Sequence, residues 1–92
     1  MTKFYIEQIR TQPVNSNNWK EIVAVQGRDD RGQRNAYFLS GIIQIIEAGI
    51  PVYSSSGSNP VRVVVVQESS GKFIRSIGDL TTSNNLLSLE RF

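Results

Sequence analysis

Apolar and polar positions alternate from the start of the chain, and then the alternation slips. Phe4 and Ile6 lie two apart, as on one face of a strand, but Ile9 falls out of phase. Residues 3–11 are therefore expected to form a strand with a bulge near Glu7-Gln8, or a short strand with both faces partly covered. Residues 12–18 are rich in Pro, Asn and Ser and read as a loop. Residues 19–26 read as a second strand, antiparallel to the first. Its Ile22-Val23-Ala24-Val25 run is β-branched and apolar on both faces, a pattern of burial from two sides.

Residues 27–35 are polar and charged throughout and predict a mobile loop. After them the period changes. Leu39, Ile42, Ile43 and Ile46 recur at helical spacing, with Gln44 and Glu47 on the other side. Asn35 or Ser40 is a candidate cap. Gly49 suits the position just past the helix, and Pro51 forbids continuation. Val52-Tyr53 starts a short strand that ends in a polar loop reaching Pro60. Residues 61–68 carry five Val and form the strongest strand signal. Ser69-Ser70-Gly71 then turns the chain into a strand over 72–77, a second hairpin. In the tail, Leu86, Leu87 and Leu89 are expected to pack back onto the domain, with residues 81–85 as a structured turn.

The length, 92 residues, limits the chain to a single domain over 1–92, and 39% hydrophobic residues supply one modest core. The expected class is α+β: a small curved antiparallel sheet of four to five strands with one helix packed on one face. The chain has no Cys and no His. Disulfides, thiolate metal sites and the usual general base near neutral pH are therefore excluded. No apolar run is long enough to span a bilayer, and Met1-Thr2-Lys3-Phe4-Tyr5 has no signal-peptide core, so a cytoplasmic location with no membrane partner is expected. Net charge is only +2, less than the clustered surplus of a strong nucleic-acid binder.

Several short motifs resemble a known family. Lys3-Phe4-Tyr5-Ile6 opens the chain, and a short helix ending at Gly49 precedes the Tyr53 strand. Lys72-Phe73-Ile74-Arg75-Ser76 is followed by Asp79, Thr81, Asn85-Leu86 and Leu89. Together they resemble a family of small prokaryotic and phage proteins classed as a domain of unknown function. That family has an aromatic-Ile-Arg-Thr strand and an Asn-Leu-x-x-Leu tail. Ser76 stands where a Thr is typical, and Asn84 where an Asp is expected. The resemblance implies the fold and brings no activity with it.

Candidate chemistry is sparse. Arg28, Arg31 and Arg34 recur every third residue between Gly27 and Asn35, and Arg suits bidentate contact with phosphate or carboxylate. Asp29 and Asp30 leave this segment at three minus two, or +1, so a solvated loop with local Arg–Asp pairs is the competing reading. Trp19, Tyr5, Tyr53 and Phe73 offer stacking surfaces, against ordinary packing. The acidic residues form no catalytic pair, the serines have no partner base, and no metal or cofactor is called for. The leading expectation is a non-enzymatic binding or assembly module acting as a homodimer or higher oligomer. A second copy would cover the extra apolar sheet face. The alternative is a module that binds an anionic ligand, a nucleotide or a nucleic acid, through Arg28, Arg31 and Arg34 with Trp19.

Overall fold

In the computed structural model, residues 1–55, 60–77 and 85–92 are described. Strand β1 (Phe4–Thr11) pairs antiparallel with β2 (Ile22–Asp29). The register shifts between Ile6 and Gln8, so the expected bulge falls at Glu7. Its effect is to turn Phe4, Ile6, Ile9 and Thr11 to one face, where all four are buried. A second shift, between Arg10 and Thr11, makes Val23 the extra residue on β2. Ile22 and Val25, three apart in sequence, then both point inward, while Ala24 pairs with Arg10 on the other face. The two-sided apolar pattern of β2 is thus largely a bulge, rather than a second face awaiting cover.

Trp19–Glu21 is a 3-10 turn and not the start of β2; the Asn18 side chain accepts the Lys20 amide at 3.0 Å to begin it. The segment expected to be a mobile loop is instead a hairpin. Strand β3 (Arg34–Phe38) pairs antiparallel with β2 along its whole length. The hairpin closes through a three-residue loop, with the Gly32 amide donating to the Asp29 carbonyl at 3.0 Å and Gly32 at φ +80. The buried Asp29 carboxylate accepts from the Arg31 and Gln33 amides at 2.9 and 3.0 Å. Polar residues here hold a turn together rather than marking disorder.

Helix α1 (Leu39–Glu47) follows β3 directly. Phe38 is its N-cap and makes no side-chain cap bond, so neither Asn35 nor Ser40 caps it. Gly49 has φ +93, and its amide bonds the Ile46 carbonyl, ending the helix as expected. The Pro51 carbonyl accepts the Phe4 amide at 3.0 Å and steers the chain into β4 (Val52–Ser54), which lies parallel to β1. Strand β5 (Val61–Glu68) runs antiparallel to β4, and β6 (Gly71–Ser76) antiparallel to β5. Because β4 is short, the rest of the same β1 edge is taken by β7 (Glu90–Arg91), also parallel.

The sheet is therefore mixed rather than purely antiparallel, and larger than four or five strands. Its order is β3-β2-β1-β4-β5-β6, with β7 on β1. Passage through α1 between β1 and β4 is what makes their pairing parallel. The helix packs on one face, over a core of Phe4, Ile6, Ile42, Val52, Val63 and Ile74. Leu86 and Leu89 are buried in that same core and Leu87 packs against it, so the tail is anchored within the chain as expected. The Arg91 guanidinium fastens it further, donating to the carbonyls of Leu87, Leu89 and Ser16. The turn expected over 81–85 lies, up to residue 84, outside the described residues; Asn85 opens a 3-10 turn, Asn85–Ser88. Among the described residues, no helix is long and apolar enough to cross a membrane.

Candidate functional site

Paired residues in a sheet carry their side chains on the same face, so the register defines what the helix-free face displays. One row runs across five strands: Arg34 on β3, Arg28 on β2, Tyr5 on β1, Tyr53 on β4 and Arg62 on β5. With strands about 4.8 Å apart, the row spans about 19 Å. The two tyrosine rings stack at its centre, 5.4 Å between centroids and 21° from parallel. The Arg62 guanidinium lies 5.9 Å from the Tyr53 ring centroid, a cation–π contact. Arg28 reaches Glu7 at 3.6 Å, with the Arg28 side chain exposed and that of Glu7 part-buried, so this long contact binds loosely. Arg34 is exposed and makes no ion pair among the described residues.

A second row on the same face joins Arg10, Ala24 and Phe38. The small side chains of Ala24 and Ala36 leave an open depression of about 160 Å³ between Arg10, Tyr37 and Phe38. Phe38 is 77% exposed, although it is a large apolar residue on a strand. Arg10 is held in place by Phe92, whose carbonyl accepts from its Nε at 2.9 Å and whose ring lies 4.6 Å away. Gln8 and Gln26 pair between the two rows, and Glu90 pairs with Gln8. Four arginines, Arg10, Arg28, Arg34 and Arg62, thus share this part of the sheet with Glu7 and Glu90.

Of the residues singled out in the sequence, Arg28 and Arg34 meet in the row because the hairpin pairs them directly. Arg31 sits in the hairpin loop, outside the row, with its amide on Asp29. Trp19 is elsewhere: its ring packs edge-on to Phe73 at 6.0 Å, with Lys20 and Arg75 about its ring at 5.6 and 5.5 Å. Phe73 and Arg75 alternate along β6 with the buried Ile74 and Ser76, so this contact lies on the face of β6 away from the core. Sequence reasoning did not single out Arg10, Arg62 or Phe38. Arg62 did carry a signal, as the one charged residue in a run of valines. Asp30 belongs to the structure of the hairpin: it accepts the Thr2 hydroxyl at 2.7 Å and the Thr2 amide at 2.9 Å. Those bonds, the hydroxyl's first, hold its carboxyl well below the usual carboxylate range. Among the described residues, no three acidic side chains gather as a metal site would require.

Comparison with curated proteins and with solved structures finds no match in either. One family does match, described as "Protein of unknown function (DUF3892)", and it covers residues 5–90. The match runs from Tyr5 of the central row to Glu90 of β7 and so takes in all of the sheet but its first and last residues, Phe4 and Arg91. The chain belongs to this family of unknown function.

Proposed function

We propose that the protein is a non-enzymatic binding module whose helix-free sheet face takes a phosphate-bearing anionic ligand. The observation that carries this reading is the cross-strand row Arg34–Arg28–Tyr5–Tyr53–Arg62. Guanidinium groups match phosphate oxygens with paired N–H donors. A guanidinium resting on an aromatic ring is positioned before the ligand arrives, which lowers the ordering cost of binding. The loose Glu7 contact leaves Arg28 able to exchange partners. The row sits on paired strands, so its spacing is set by the backbone rather than by a flexible loop.

Self-association is the second reading, and one observation favours it: Phe38 stands 77% exposed on β3, whose outer edge is unpaired in the sheet order. Two copies meeting along that edge would cover Phe38. Two copies meeting face to face would instead set arginines against arginines, which costs affinity.

The test is titration with inorganic polyphosphate over a range of salt. Three arginine–phosphate contacts, from Arg28, Arg34 and Arg62, give a slope of log K against log salt of about −2, by the rule for flexible anionic strands. Arg28→Ala, Arg34→Ala and Arg62→Ala should each flatten the slope by about 0.7. Absence of binding at low salt, or a slope indifferent to all three changes, defeats the reading. Light scattering at micromolar concentration reports on the dimer separately; a 10 kDa species throughout removes it.

A further inference from the structure

We infer that the ligand of this face is a single-stranded nucleic acid, with Phe38 as a base-stacking platform beside the arginine row. This rests on the anion-binding reading above and extends it from a charge to a chemical class. The two rows lie four residues apart, Ala24 to Arg28 on β2 and Phe38 to Arg34 on β3, so about 13 Å separates them. A ligand that uses both must carry anionic groups at one end of that span and a flat apolar group at the other. At about 3.4 Å per phosphate along a stacked strand, the span matches roughly four nucleotides.

The depression itself suits a flat ring. Its volume of about 160 Å³ is close to that of the engineered apolar cavity, about 150 Å³, that accepts benzene. Its floor is Ala24 and Ala36, one wall is the exposed Phe38 ring, and Arg10 closes the other side. Stacking on an aromatic ring and a guanidinium is how sequence-tolerant single-strand binders hold bases. Gln8 and Gln26 lie between the rows and bring amide donors and acceptors to base edges. Bases locked in a duplex cannot enter such a depression. The preferred strand is therefore unpaired and at least about four nucleotides long.

The experiment uses a fluorescently labelled twelve-residue oligothymidylate and the full chain, with anisotropy as the readout. Inorganic polyphosphate and a twelve-base-pair duplex serve as competitors. The expected result is that the oligothymidylate binds more tightly per charge than either competitor. Phe38→Ala should weaken it about tenfold and leave polyphosphate affinity unchanged, and Phe38→Trp should restore it. Because Phe38 is mostly exposed, both variants fold, which circular dichroism verifies. If Phe38→Ala binds the oligothymidylate as wild type does, or the duplex competes equally, the inference is wrong while the arginine row survives. If neither polyphosphate nor oligothymidylate binds, the anion-binding reading falls with it.

Discussion

Tyr5 and Tyr53 stand side by side across the parallel β1–β4 pair, their rings stacked 5.4 Å apart on the face away from the helix. On the opposite face, the residues flanking them in the register, Phe4 with Val52 and Ile6 with Ser54, are fully buried. One short run of pairing therefore anchors the core and sets the centre of the candidate site. Tyr53→Ala removes the stack and the support of Arg62; we expect a loss of about 1–3 kcal/mol in urea unfolding and weaker polyphosphate binding. Tyr53→Phe keeps the ring, and its stability should stay within about 0.5 kcal/mol of wild type. Equal stability of the Ala and Phe variants would show that the stack holds nothing together.

Gly27 sits opposite the Glu7 bulge. A Cβ built there would lie 1.8 Å from the Tyr5 carbonyl oxygen, a backbone atom with nowhere to move. Gly27→Ala should therefore cost about 4 kcal/mol or more, enough to unfold a marginal domain of this size. Gly49→Ala is the control. It meets nothing within 4 Å and strains only a left-handed backbone, so a loss of about 1–2 kcal/mol is expected. Comparable melting of the two variants would mean that β1 and β2 do not approach this closely in solution.

The tail closes the edge of β1 that β4 leaves open. Leu86 is fully buried, so Leu86→Ala should cost about 2–5 kcal/mol, against about 1 kcal/mol for the half-buried Leu87. Removing residues 86–92 should abolish cooperative unfolding at every protein concentration. A truncated chain that still melts cooperatively as a monomer would place these leucines in an interface between copies instead.

Asp30 gives acid sensitivity with a definite sign. Its folded-state pKa is lowered, chiefly by the Thr2 hydroxyl and next by the Thr2 amide. The unfolded value is about 3.9, so the stabilisation is complete above that pH and drains away as pH falls below it. The advantage of wild type over Asp30→Asn should be constant from pH 7 to 5 and shrink between about pH 4 and 2. An advantage that grows on acidification would contradict the Thr2–Asp30 clamp.

How much of this was legible depended on range along the chain. The bulge at Glu7 showed in the phase of Ile9, and the helix in Ile42, Ile43, Gly49 and Pro51, because those signals are local. Strand β3 was hidden because Arg34-Asn35-Ala36-Tyr37-Phe38 has no β-branched residue and follows a charged turn. Asp29 and Gly32, the first and last residues of that turn, were the clue to a hairpin. The parallel pairing of Tyr5 with Tyr53 had no local trace, since it depends on the path through α1. Arg62 joined the row by register alone. Trp19 was open to both readings, since a large aromatic beside cationic residues suits a platform as well as packing; here it packs against Phe73.

The most direct test of the binding face is a map of backbone amide chemical shifts during titration with inorganic polyphosphate. The account predicts changes concentrated at Tyr5, Arg28, Arg34, Tyr53 and Arg62, with Ile42–Glu47 of the helix and Lys72 unmoved. Changes centred on Trp19, Lys20 and Arg75, or on the helix, would contradict it.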